Sequence, residues 1–166
     1  MPTIQRPHHA GIQVADLERS VHFYRDILGF ELVFQWNPQA QYIRTVTGYP
    51  EADIHAAILK MPGAEVFLEI LEYRNVEKAP VDTRTANPGT AHLAFFTDDC
   101  DGLYAELTAK GVASVSEPVT PEIGPNTAPQ PHIIITSGCS ARGNVASRMP
   151  CPIGMIGAPN RPWPTR

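Results

Sequence analysis

The chain has no apolar run near the roughly 20 residues that a membrane-spanning helix needs, which excludes a helical membrane protein. Its three cysteines, Cys100, Cys139 and Cys151, include no Cys-x-x-Cys pair and leave one unpaired. That excludes a disulfide framework and a structural zinc knuckle, and implies reduced thiols. Residues Met1 to Pro7 lack the apolar core of a signal peptide, so cytoplasmic residence is expected. The net charge of −4 provides no basic field, and neither nucleic acid nor membrane is an expected partner. With 43% hydrophobic and 18% charged residues over 166 positions, the chain is a globular protein long enough to bury a core.

The end of the chain lacks still more. No Asp or Glu follows Glu122, and residues 123–166 contain no Lys, Leu, Phe or Tyr. Residues 1–122 hold all 17 acidic residues against nine basic ones, a balance of −8, whereas the remainder holds four arginines and eight of the 17 prolines. Residues 127–166 therefore read as an atypical Pro/Arg-rich tail, with the composition of a translated alternative reading frame or another replacement of a normal ending.

What is present is a repeat. His9-Ala10-Gly11-Ile12-Gln13-Val14-Ala15-Asp16 leads into an amphipathic stretch ending at Gly29, and His92-Leu93-Ala94-Phe95-Phe96-Thr97-Asp98-Asp99 leads into one ending at Gly111. Each copy reads as strand, acidic cap, helix and glycine stop. In the first, Ala10, Ile12 and Val14 alternate onto one face while His9, Gly11 and Gln13 take the other. Leu17, Val21, Tyr24 and Leu28 form one helical stripe. Phe30 to Trp36, Ile54 to Met61 and Val66 to Tyr73 supply three further strands, with a turn at Pro62-Gly63, so the unit is βαβββ. Residues 37–50, bearing Pro38, Gly48 and Pro50, read as a long loop of the sort that covers a ligand, and Trp36, Tyr42 and Tyr49 are candidate pocket aromatics. In the second copy, Val112 to Ser116 and His132 to Thr136 are strand candidates, and a fourth strand is not evident.

The chemistry centres on three residues. Alternation along Val66 to Tyr73 puts Glu69 on the face of Phe67, Leu71 and Tyr73, where a carboxylate needs a partner. A divalent metal held with imidazoles is one such partner; an exposed edge, or an arginine such as Arg44 or Arg74, is the alternative. A lone histidine on a strand is usually structural, which is the reading for His8, His22, His55 and His132. His9 and His92 differ because their positions repeat, each followed two residues later by a small residue, Gly11 or Ala94. With Glu69 they make a two-histidine, one-carboxylate set suited to Zn, Ni, Co, Mn or Fe(II), with positions left open for substrate.

Pro7-His8-His9-Ala10-Gly11-Ile12, Asp16-Leu17-Glu18-Arg19-Ser20, Phe23-Tyr24-Arg25-Asp26 and Leu28-Gly29-Phe30 resemble the opening of the vicinal oxygen chelate family of glyoxalases, epimerases, extradiol dioxygenases and drug-resistance proteins. Pro88-Gly89-Thr90-Ala91-His92-Leu93-Ala94-Phe95 and Asp98-Asp99 resemble its second module. Glu117-Pro118-Val119 and Gly124-Pro125-Asn126 resemble the loop that follows, so the likeness runs from about residue 7 to 126. It implies an α+β fold of two βαβββ modules forming an open, barrel-like mixed sheet around a cleft with one divalent metal, its last strand here missing or irregular. The implied organisation is a single domain over 1–166, with module one at 7–75, a linker at 76–89 and module two at 90–140.

The family's ligand pattern falls on His9, Glu69 and His92. Its further glutamate, on the final strand, has no counterpart among Gly138 to Ser147, where Cys139 offers only a thiolate. Glu69 would then act as both ligand and catalytic base. The activity implied is a metal-dependent lyase or isomerase of the glyoxalase type on a small substrate with adjacent oxygens. An Fe(II) ring-cleaving dioxygenase and a non-catalytic, drug-sequestering module are the alternatives. Relatives of this kind are often homodimers, and an edge left by an absent strand would invite pairing.

Overall fold

The computed structural model describes residues 1–38, 41–79, 81–120, 132–136 and 153–156. They fall into two compact units, Met1–Pro80 and Val81–Arg166.

The first unit follows from the alternation and caps of its sequence. Strand β1 is His9–Gln13, exposed and half-buried residues alternating along it. Asp16, in extended conformation, accepts a hydrogen bond from the Arg19 amide and so starts helix α1, Leu17–His22. A π-helical turn, Phe23–Ile27, continues it and ends before Gly29, whose φ of 76° suits glycine. The wider turn carries Phe23 as well as Tyr24 into the core, beyond the stripe that a regular helix predicts. Strand β2 is Glu31–Trp36, β3 is Ile54–Lys60 and β4 is Phe67–Tyr73. The sheet order is β1-β4-β3-β2, with β1 parallel to β4 and the other pairs antiparallel.

Register divides this sheet into two faces. Ala57, Leu59, Leu68 and Ile70 lie on one, the side to which β1 contributes Ala10 and Ile12. Leu59, Leu68 and Ile70 are fully buried, as are Leu17 and Val21 of α1, which packs on β3 and β4. Burial of each such side chain contributes about 1.5–3 kcal/mol. The opposite face carries His9, Gly11, Phe67, Glu69 and Ile58. A bulge between Leu32 and Phe34 shifts the β2 register, leaving Leu32 opposite Leu59 and Phe34 opposite Ile58.

The expected loop at 37–50 is instead interrupted by helix α2, Gln41–Thr47. Pro38 and Gly48 flank this helix and do not break it, and the Thr45 and Thr47 hydroxyls donate to the Gln41 and Ile43 carbonyls.

The second unit begins with β5, His92–Phe96, whose burial alternation matches that of β1. Asp99 caps helix α3, Cys100–Ala109, accepting from the Gly102 amide at 2.9 Å. Strands β6, His132–Thr136, and β7, Ile153–Ile156, complete an antiparallel sheet ordered β5-β6-β7. The strand expected at Val112 to Ser116 does not form, and only isolated bridges occur at Ser114 and Val119. Val112 is buried but Val115 is exposed, so the segment has no continuous apolar face to pair. A further strand, β7, does exist within the atypical tail, the rest of which, Cys139 included, lies almost wholly outside the described residues.

Candidate functional site

Parallel pairing of β1 with β4 sets His9 opposite Phe67 and Gly11 opposite Glu69. All four point to one face, because partners in register share the side of the pleat. His9 Nε2 stands 3.3 Å from Glu69 Oε2, with the histidine side chain 39% and the glutamate side chain 20% exposed. Arg74, considered as a partner for Glu69, instead binds Glu72. Gly11 leaves room beside the carboxylate: a Cβ there would sit 3.9 Å from Oε2.

These two side chains line a cavity of about 280 Å³. Its other walls are His8, Val33, Phe34, Trp36, Ile58 and Phe67, so the lining is apolar except at the histidines and Glu69. The Phe34 and Trp36 rings pack at 4.8 Å between centroids. Trp36 is thus a pocket aromatic, as its position suggests. Tyr42 is exposed on α2, and Tyr49 packs against Tyr73 at 5.6 Å. Burial pushes the Tyr73 phenol up.

Two features of this cleft escape sequence reasoning. The bulge brings Val33 into the lining beside Phe34, where strict alternation would separate them. His8, read as structural, hydrogen-bonds His9, Nδ1 to Nδ1, at 2.7 Å. Neighbouring residues of a strand face opposite ways, but β1 starts at His9, and His8 escapes that rule. The side-by-side histidines were the available signal.

His92 is the first residue of β5, exposed, opposite Thr136. It shares a strand face with Ala94 and Phe96, and a smaller cavity of about 210 Å³ in this unit is lined by Ala94, Phe95, Phe96 and His132. Within neither unit do three His, Cys, Asp or Glu side chains converge as metal ligands among the described residues. Cys100 is buried, and burial pushes its thiol up, away from the thiolate a ligand or nucleophile needs.

Part of a metal-binding set can be tested against geometry. Two ligands each about 2.1 Å from one ion stand about 3.0 Å apart along an octahedral edge and about 3.4 Å along a tetrahedral one. The 3.3 Å between His9 Nε2 and Glu69 Oε2 falls between those values. Imidazole nitrogen with carboxylate oxygen is also a donor pair that first-row divalent ions accept. His9 and Glu69 therefore fit as two ligands of such an ion.

The chain matches the model of the Glyoxalase/Bleomycin resistance protein/Dioxygenase superfamily over residues 6–128. It is 29% identical over 122 residues to the 2-epi-5-epi-valiolone epimerase of an Actinomyces species, covering 71% of this chain and 66% of that protein. It is 32% identical over 120 residues to the lactoylglutathione lyase of Haemophilus influenzae, covering 70% of this chain and 73% of that protein. The matched region thus spans about two thirds to three quarters of these relatives' own lengths. Among solved structures, a glyoxalase family protein from Bacillus cereus superposes with a TM-score of 0.62 at 20% identity, covering 94% of this chain and 97% of that one. The trypanothione-dependent glyoxalase I of Leishmania major gives 0.52 at 20% identity, covering 92% and 86%. At such identities the likeness is one of fold. With a family model spanning most of its length, the chain belongs to the Glyoxalase/Bleomycin resistance protein/Dioxygenase superfamily.

Proposed function

We propose that this protein is a divalent-metal-dependent lyase or isomerase of the glyoxalase type, acting on a small molecule with two adjacent oxygens. The observation that carries this reading is the 3.3 Å approach of His9 Nε2 to Glu69 Oε2 in an otherwise apolar cleft. His9 and Glu69 are two of the metal ligands in this reading. His92 is the third, on the sequence equivalence of the two strand starts, and residues 7–75 and 90–140 are paired modules of one domain. Zn, Ni, Co or Mn is the expected metal, and a homodimer the expected assembly.

A bound ion would supply Lewis acidity to the substrate's adjacent oxygens, steadying the negative charge that develops there. The chain's own groups do the rest. Glu69 takes the proton from the carbon beside the carbonyl and returns it to the substrate, so the reaction is redox-neutral and needs no second reactant. General-base help of this kind contributes about 10²- to 10⁴-fold in rate. Phe34, Trp36 and Phe67 exclude water and hold the apolar part of the substrate. The relatives named as an epimerase and a lactoylglutathione lyase support this class.

The aromatic lining with a two-histidine, one-carboxylate set also suits a ring-cleaving Fe(II) dioxygenase, the second reading. The lack of any carboxylate after Glu122 favours a binding module without turnover. Elemental analysis of protein purified without tag or chelator separates the three. Near-stoichiometric Zn, Ni, Co or Mn, with metal-dependent exchange of a substrate C–H for deuterium, is the expected result. Iron with oxygen uptake on a catechol would transfer the assignment to the dioxygenase. No metal after reloading would overturn the enzyme reading and leave the binding module.

A further inference from the structure

We propose that His8 is a positioning residue for His9, holding the ring orientation and tautomer that present His9 Nε2 to the cleft. The inference deepens the function proposed above, and its metal arm rests on the reading of His9 as a ligand. The hydrogen bond itself does not.

The Nδ1 to Nδ1 distance is 2.7 Å, and the two rings meet edge to face, 4.9 Å between centroids at 78°. Such a bond requires one Nδ1 to carry a proton and the other to be bare. The two tautomers are therefore coupled. His8 can serve because its own place is fixed: the Phe67 amide donates to the His8 carbonyl at 3.2 Å, and its ring lies 6.0 Å from that of Phe67. The partner of His9 is thus tied to β4, the strand that carries Glu69.

The coupling has a definite direction. When Nε2 of His9 carries its proton, 3.3 Å from Glu69 Oε2, its Nδ1 is bare and accepts from His8 Nδ1–H. When Nε2 must offer its lone pair, the His9 proton sits on Nδ1 and donates to His8 Nδ1, whose ring then carries its proton on Nε2. Each ring keeps one proton in both arrangements, so the change needs no net gain or loss. Nε2 of His9 becomes a ligand as the His8 Nδ1 proton passes to His9 Nδ1, the His9 Nε2 proton leaves to solvent and the exposed His8 ring takes one from solvent on Nε2. Groups that orient ligating histidines in this way are typically worth about 10- to 100-fold in metal affinity. His8 and His9 are both exposed, so their bond does not fill a core.

The test uses the full chain with His8→Phe, which keeps a ring without nitrogen, and His8→Asn, whose amide can replace Nδ1. In the metal-free parent, at a pH where both rings are neutral, ¹⁵N NMR of the imidazoles should show a fixed tautomer for His9, complementary to that of His8. In His8→Phe the His9 signals should average, and in His8→Asn they should stay fixed. Zn²⁺ affinity, measured by competition with a chromophoric chelator, should fall about 10- to 100-fold in His8→Phe and recover in His8→Asn. Averaged His9 signals in the parent, or unchanged affinity in His8→Phe, would overturn the proposal. A parent that fails to bind Zn²⁺ while His9 remains fixed overturns the metal reading and leaves His8 as the positioning group.

Discussion

Replacing Glu69 by Gln keeps the side chain's length and nearly its volume but removes its charge and its capacity to accept a proton. The pair it forms with His9 is half-open to solvent, with side chains 39% and 20% exposed. Losing such a half-exposed polar contact costs about 0–1 kcal/mol. In a domain of this size that moves Tm by less than about 4 °C. The effect on turnover should be far larger. At saturating metal, loss of the base should lower kcat by about 10²- to 10⁴-fold, equivalent to about 2.7–5.4 kcal/mol in the barrier. Glu69→Asp separates the two roles. It withdraws the carboxylate by about 1.5 Å, widening the 3.3 Å edge to His9, so metal affinity should fall while a base remains. Titrating metal against initial rate for all three proteins reads both quantities. If Glu69→Gln retains kcat within tenfold of the parent under saturating metal, Glu69 is not the base.

Other consequences concern the frame around the site. Gly11→Ala should leave metal affinity unchanged, since its Cβ would make an ordinary 3.9 Å contact with Glu69 Oε2, whereas Gly11→Leu should displace the carboxylate and abolish binding in a calorimetric titration. Leu68→Ala removes a fully buried side chain from the strand that carries Glu69, and should cost about 2–5 kcal/mol in urea unfolding. Burial pushes the Glu72 carboxyl up, but the hydrogen bonds from Arg74 and the Leu17 amide and the Arg74 charge outweigh it and hold the group below its usual value. Its stabilisation is therefore present above the unfolded pKa and lost as pH falls through the folded one, so Glu72→Gln should flatten the decline of the urea midpoint from about pH 5 to pH 3.

The parts of this architecture legible in the sequence are those set by local period. Alternation places Glu69 with Phe67 and His9 with Gly11, because a residue on a regular strand has only two directions to face. The Asp16 and Asp99 caps follow from side-chain chemistry acting over three residues. What escapes prediction depends on a partner strand or a change of period. The bulge at Val33 arises from pairing with β3, and Leu32, Phe34 and Trp36 alternate as if no bulge existed. The π turn at Phe23–Ile27 alters the period within a helix whose stripe looks regular. Helix α2 was hidden by Pro38 and Gly48, which read as breakers because their places relative to a helix are set only once its ends are known. His8 reads as structural because a lone histidine on a strand usually is, yet it stands one residue before the strand begins.

The distribution of carboxylates constrains the chemistry more than any one distance. Since no Asp or Glu follows Glu122, any acid or base of that type must come from the first 122 residues. Several of those in the first unit are already engaged. Asp26 is bound by Arg25 and His22, and Glu65 by Lys60. Asp53 is held below the usual carboxylate range chiefly by the Asn37 amide, with His55 beside it, and Glu72 is shared between Arg74 and the start of α1. Glu69 is the carboxylate that lines the described cleft, and an imidazole is its partner there. A neutral imidazole and a carboxylate can exchange their mutual contact for a shared cation, whereas an arginine would have to be displaced. In the proposed reading one group then serves as ligand and base. A carboxylate that left the metal to take a proton would be a poorer ligand at that moment, so half-maximal turnover should need more metal than half-maximal binding does.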